Sequence, residues 1–243
     1  MPLGEADRIL TLFTPDVGKV RAVGKGVRRT KSRYGGHLEL LNRVEVSISY
    51  GRSLDVVNEA QVIESFPALR EDLQQLSKAF YLAELVDGFT AEQSQNEPVY
   101  RILLRAFRSL DSARQPDLLV RHFEMHLLGH SGYSPQLYRC VECRKTLTPG
   151  QHRFSPAVGG TLCPDCRPEG VHVRSLSLRA LKVLRLLDRG QLPAIVSMKL
   201  DPALAAELDS LTGGAVKYWL EREIRSKSFV EQLQSESHRK VYT

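Results

Sequence analysis

The chain reads as α+β: a small antiparallel β-barrel at the N-terminal end, then an α-helical body that carries a four-cysteine metal element. Three observations predict this. The apolar period is close to two before Pro67 and between three and four after it. Glycine and proline turn signals cut the first 66 residues into short segments. Two Cys-x-x-Cys pairs, Cys140-Val-Glu-Cys143 and Cys163-Pro-Asp-Cys166, stand nineteen residues apart.

The strands come first. Residues 8–13 (RILTLF), 19–23, 38–50 and 53–63 alternate Val, Ile and Leu with polar side chains, as half-buried strands do. Val44, Val46 and Ile48 fall on one face, with Glu45, Ser47 and Ser49 on the other. Turn signals at 14–18, 35–36 and 51 separate the runs. The pattern alone does not separate an OB-type barrel from an SH3-like one.

Beyond Pro67 the spacing of Leu69, Leu73, Leu76, Phe80, Ala83 and Val86 predicts one amphipathic helix from Ala68 to about Asp87. A second runs from Pro98 to about Leu110. Pro116 opens a third, with Leu119, Phe123, Met125 and Leu128 inward and Gly129 to Gly132 closing it. Three helices follow the cysteines. Leu176, Leu178, Leu181, Leu184 and Leu187 mark the first, which ends at Gly190. Asp201-Pro202 caps the second, with Asp at N-cap and Pro at N1. The last, from Ala215 to about Leu233, carries the single Trp, and the tail 235–243 is polar. The division into domains is thus 1–66 and 67–243, with the cysteine element inserted at about 138–170.

The stretch 18–36, GKVRAVGKGVRRTKSRYGG, holds Lys19, Arg21, Lys25, Arg28, Arg29, Lys31 and Arg33 and no acid. Five glycines keep its backbone open. A basic, glycine-punctuated loop between apolar strands suits a phosphate backbone. The bland alternative is a soluble turn that is merely basic. Net charge favours the first reading: the chain carries +6, and residues 1–36 alone hold eight Lys/Arg against three acids.

Four cysteines in two knuckles are what a tetrahedral zinc ion asks for, each Cys-x-x-Cys giving two soft ligands from one tight turn. The segment between them, with Pro149, Gly150, Pro156, Gly159 and Gly160, has hairpin composition. Two disulfides would need an oxidising compartment, and a redox motif would need one pair rather than two. Four thiolates leave zinc no open position for water, so the expected role of Cys140, Cys143, Cys163 and Cys166 is structural. His122, His126 and His130 share a helix face four residues apart, but no HExxH pattern supplies a general base, and a histidine-rich half-exposed face explains them.

Several function classes lack their motifs. Gly18 to Lys25 resembles a Walker loop, yet five residues intervene instead of four and Gly26 stands where Ser or Thr would bind magnesium. No GxSxG, no GxGxxG opening a helix and no carboxylate cluster for a two-metal nuclease is present. No run approaches the ~18 apolar residues of a membrane span, and MPLGEADRIL has acids where a signal peptide has an apolar core. The chain reads as a binder, not an enzyme.

The residues so far described resemble a known family. GEADRILTLFTP (4–15), GKVRAV (18–23) and KGVRR (25–29) look like the N-terminal domain of the bacterial RecO recombination mediators. SFPALRED (65–72), LLGHSGYSP (127–135) and the cysteine element are similar to that family too. The resemblance spans essentially the whole chain. It implies an OB-fold, a helical domain and an inserted four-cysteine zinc element. It implies binding of single- and double-stranded DNA, annealing of complementary strands, and help in loading the recombinase onto strands coated by single-strand-binding protein. RecR and the single-strand-binding protein are the implied partners, and the nucleoid in the cytoplasm the implied location.

The barrel is short of aromatics, with Phe13, Tyr34 and Tyr50 as candidates, so phosphate contacts rather than base stacking are expected to dominate. The competing class is a zinc-ribbon adaptor between proteins that binds nucleic acid only incidentally. One count is uncomfortable. Four strands precede Pro67, an OB barrel needs five, and the three residues of Met1-Pro2-Leu3 look too short for another. The expectation is a barrel lacking its first strand, the native start lying roughly ten residues upstream, with a gap beside residues 8–13.

Overall fold

The computed structural model describes residues 2–29, 32, 34–111, 116–190, 198–220, 224, 226, 227, 230 and 233. They fall into two compact units, Met1–Asp111 and Ser112–Thr243.

The first unit begins with five strands: β1 (Pro2–Leu3), β2 (Asp7–Thr14), β3 (Gly18–Gly24), β4 (Arg43–Ser49) and β5 (Asp55–Glu64). They form one sheet in the order β1-β2-β3-β5-β4, antiparallel except where β5 runs parallel to β3. That is the strand path of an OB barrel, and it settles the choice that alternation left open. Leu10, Ala22, Leu38 and Val57 make the buried centre, with Leu12, Val27, Tyr34, Val46, Ile48 and Ala60 packed around it. Val46 and Ile48 therefore face inward as their alternation predicts, while Glu45, Ser47 and Ser49 are exposed. Leu38 is a core residue without being in a strand, since the third predicted run begins only at Arg43.

Residues 1–3, read as too short for a strand, are corrected in one respect. Pro2 pairs with Arg8 and Leu3 with Asp7, so two residues add a strand. This pairing stops at Arg8, and no ladder joins β1 to β4 among the described residues. The sheet is a partial barrel with an open seam.

Three helices complete this unit: α1 (Pro67–Glu71), α2 (Leu73–Phe89) and α3 (Glu97–Asp111). The predicted single helix from Ala68 is in fact two. Asp72 turns extended (φ −109°, ψ 109°), and its carboxylate accepts from the Gln74 and Gln75 backbone N–H groups at 2.8 and 3.3 Å. A short acid that caps a new helix competes with continuation of the old one. The sheet is locked to α3 by Glu64, which receives Arg108 Nε and Nη2 at 2.8 and 2.7 Å, and by Phe66 edge-on to Phe107 at 5.8 Å.

The second unit holds α4 (Pro116–His130), a three-stranded sheet of β6 (His152–Ser155), β7 (Gly160–Leu162) and β8 (Arg174–Leu176), then α5 (Leu178–Asp188) and α6 (Pro202–Leu220). Leu176, expected in a helix, ends β8, and the helix starts after Ser177, whose Oγ accepts from Ala180 N at 3.1 Å. Asp201 caps α6 as predicted, accepting from Leu204 N at 2.9 Å. The break expected before Ala215 is absent: α6 runs straight through Gly213-Gly214. A Cβ on Gly213 would stand 2.5 Å from Lys227 Nζ and 3.3 Å from Arg121 Nη1, and one on Gly214 3.2 Å from Arg174 Cζ, all ends of flexible side chains. The tail 235–243 lies outside the described residues.

Candidate nucleic-acid interface and metal centre

The basic stretch is split by its own strand. β3 ends at Gly24, so Lys19 and Arg21 lie on the strand while Lys25, Arg28 and Arg29 follow on a turn. Lys19, only 12% exposed, donates its ammonium to Asp87 on α2 at 3.1 Å, and Arg21 Nε stands 3.9 Å from Glu92 Oε1. Both charges already have an intramolecular partner. Lys25, Arg28 and Arg29 are different. They lie exposed on the turn after β3, and among the described residues no acid pairs with them. Lys31 and Arg33 lie outside the described residues.

This turn is rigidly seated although its side chains are not. Gly26 N donates to Asp7 Oδ1 at 2.8 Å, and Arg28 N donates to Ala6 O at 3.0 Å. Arg29 N returns to Gly26 O at 3.1 Å. The guanidinium of Arg28 makes one contact, with the Gly4 carbonyl at 3.3 Å. Asp7, an acid inside a basic region, thus spends its charge on a backbone N–H and fixes the loop. Of the aromatic candidates, Phe13 packs on Tyr100 (centroids 6.2 Å) and Tyr34 joins the core, while Tyr50 is 94% exposed.

The four cysteines converge from two knuckles. Cys140 N donates to Lys145 O at 2.9 Å and Arg144 N to Cys140 O at 3.0 Å, closing the first. Cys166 N donates to Cys163 O at 3.2 Å, closing the second. The β6–β7 hairpin, predicted from its glycines and prolines, brings them together. Gly160 is needed there: at φ +146° its Cα sits so close to Gln136 that a Cβ would be 2.5 Å from Gln136 N and O. All four sulfur atoms lie within 4.8 Å of one another, and Cys143 and Cys163 are 3.8 Å apart. A tetrahedron of thiolates at about 2.3 Å from a central ion has edges of about 3.8 Å. That separation is far beyond the ~2.05 Å of a disulfide, and all four are free thiols.

Electrostatics fit the same use. Burial pushes the Cys140 thiol up, but the backbone N–H groups of Cys163, Cys143 and Glu142 outweigh it and bring it down to about 6. Cys166 is pushed up to about 12 by its hydrogen bond to Cys163, by burial and by the crowding of the other two thiols. Four sulfurs this close cannot all ionise on their own, and a bound divalent cation would supply the charge that lets them. Among the described residues no other group of three or more His, Cys, Asp or Glu side chains is placed to hold a metal. On α4, His126 Nε2 lies 3.1 Å from Leu187 O and its ring meets His122 at 4.3 Å.

One contributor escaped the sequence reading. Arg153 Nη1 on β6 donates to Pro164 O at 2.8 Å and Cys166 O at 3.3 Å, so it clasps the second knuckle from the hairpin. No local pattern marks it, because its partners are eleven and thirteen residues away.

Residues 1–66 match the family model described as "Recombination protein O N terminal", and residues 70–228 match "Recombination protein O C terminal". The chain is 39% identical over 230 residues to a DNA repair protein RecO of Dehalococcoides mccartyi, covering 95% of this chain and 90% of that one. A DNA repair protein RecO of Roseiflexus sp. is also 39% identical, with 95% and 81% covered. That of Symbiobacterium thermophilum is 37% identical over 234 residues, with 95% and 92% covered.

Proposed function

The chain belongs to the recombination protein O family, with a role in DNA repair and recombination, and we propose that it binds single- and double-stranded DNA and anneals complementary strands. The observation that carries this is the turn of Lys25, Arg28 and Arg29: three exposed cations on a backbone pinned by Asp7 and Ala6, with no described acid to neutralise them. Phosphate contacts of this kind hold a strand without reading it. An annealer needs that, because base edges must stay free to pair. Lys31 and Arg33, next along the chain, extend the same charge, while Lys19 and Arg21 act from inside it by fixing β3. We place the functional division at about residue 66, after the five strands, although α1 to α3 belong to the same compact unit as those strands.

The four thiolates hold Zn²⁺ in this reading. A closed four-sulfur shell supplies rigidity and no open coordination position, so the metal is structural and the protein is a mediator, not a catalyst. RecR and the single-strand-binding protein are its partners when it helps load the recombinase. Its place is the cytoplasm, at the nucleoid; no described helix is long and apolar enough to cross a membrane. Strand annealing in the presence and absence of single-strand-binding protein tests the activity directly. The salt dependence of DNA binding separates it from a protein–protein adaptor, since Lys25, Arg28 and Arg29 contribute about −2 to the slope of log affinity against log salt at about −0.7 per contact. An adaptor gives a flat line.

A further inference from the structure

We propose a second phosphate-binding site, on the cysteine module, where Arg139 and Arg144 take the backbone of a nucleic-acid strand. The two arginines line one concavity of about 270 Å³ together with Gln136, Cys140, Val141 and Val158. A phosphate with its flanking sugars fits a space of this size.

The walls are built rather than loose. Gln136 N donates to Gly159 O at 2.9 Å, Thr161 N to Gln136 O at 2.9 Å, and Val141 N to Thr161 O at 2.9 Å. The side-chain oxygen of Gln136 receives Tyr138 N and Arg139 N at 2.9 and 3.2 Å, which fixes the approach of Arg139. Arg144 closes the first knuckle at φ +63°, a left-handed conformation that glycine adopts without strain and an arginine does not.

Five other arginines of this unit are held internally, while Arg167 is exposed and does not line the hollow. Arg121 pairs with Asp209 and Glu124, Arg153 with the second knuckle, Arg174 with Ser210, Arg179 with Asp201 and Arg185 with Leu137 O. Arg139 and Arg144 have no such partner among the described residues, are exposed, and flank the same hollow. A planar, permanently charged fork pair on a rigid concave floor is the chemistry of phosphate recognition. This site is separate from the turn at Lys25 to Arg29 and shares no residue with it. It extends the DNA-binding reading without depending on that turn.

The test is R139A/R144A in the full-length, zinc-loaded chain, with zinc content and melting curve measured alongside binding of a fluorescent oligothymidylate over a salt series. The magnitude of the salt slope should fall by about 1.4, two contacts at about 0.7 each. R28A/R29A, measured in parallel, should lower it by a similar amount through the other unit. If R139A/R144A keeps its zinc, melts with the parent and shows the parent slope, the proposal is overturned. If R28A/R29A leaves the slope unchanged while R139A/R144A lowers it, the turn is refuted and the module site stands. In the parent protein, phenylglyoxal labelling of Arg139 and Arg144, read by mass spectrometry, should drop when the oligonucleotide is bound. Equal labelling with and without it overturns the proposal even where the double variant sheds its metal, and would assign the arginines to balancing the thiolate charge.

Discussion

Lys19 Nζ donates to the carbonyl oxygen of Asp87 at 2.6 Å and to its carboxylate at 3.1 Å. Asp87 lies in the last turn of α2, where carbonyl groups point outward and a cation is favoured. A lysine that the sequence places among DNA-binding residues is thereby a strut between sheet and helix.

Lys19→Met should therefore lower stability by about 0–1 kcal/mol, the range of a partly exposed ion pair, and leave the salt slope of DNA binding unchanged. Arg28→Glu with Arg29→Glu should do the reverse. Circular dichroism stays as in the parent, while affinity falls alike for every DNA sequence, because phosphate contacts carry no sequence information. Fluorescence anisotropy on three unrelated oligonucleotides checks both variants. Unchanged affinity in the folded double variant would remove the turn from the interface.

Cys143→Ser should lose the metal and loosen the second unit. Metal binding free energy is folding free energy for the segment it ties together, here the two knuckles and the β6–β7 hairpin. Hydrogen exchange should speed up across residues 136–176 while β2 to β5 keep their protection. A variant that has lost zinc but melts at the parent temperature contradicts this.

Glu64 predicts the acid limb. Its hydrogen bond from Arg108, opposed by burial and helped by the charges of Arg108 and Arg43, holds its carboxyl below the ordinary 4.5. A depressed folded value means that the unfolded chain binds the proton more readily. The contribution is therefore fully present above about pH 4.5 and is lost as pH falls through the folded value. Glu64→Gln should be less stable than the parent at neutral pH and should converge on it in acid. Urea melts between pH 3 and 7 read this, and parallel curves across that range would exclude it.

Thr212→Val tests the buried polar contact of the helical unit. Glu124 is fully buried, and its Oε2 accepts from Thr212 Oγ1 at 2.5 Å and forms an ion pair with Arg121 Nη1 at 3.2 Å. Valine keeps the shape and removes the donor, at a cost of roughly 1–3 kcal/mol. Thr212→Ser, which retains the hydroxyl, should recover most of that loss in a denaturant titration.

Local signals carried much of this protein. The change of apolar period at Pro67, the Asp201-Pro202 cap and the spacing of Cys140, Cys143, Cys163 and Cys166 are each readable within one turn or one motif, because each rests on geometry internal to a short segment. The short strand at Pro2–Leu3 was missed because a strand of two residues is defined by its partner and not by its own pattern.

What only the tertiary structure decided depends on groups far apart in the chain. The sequence by itself determined that residues 18–36 are basic. It took the fold to show that Lys19 and Arg21 meet Asp87 and Glu92, leaving Lys25, Arg28 and Arg29 exposed. Gly213-Gly214 read as a break because glycine weakens a helix locally, yet they sit inside α6, beside the side-chain ends of Lys227, Arg121 and Arg174. A composition fixes how much charge or clearance a segment brings; which neighbour uses it is set by packing, and packing is long-range.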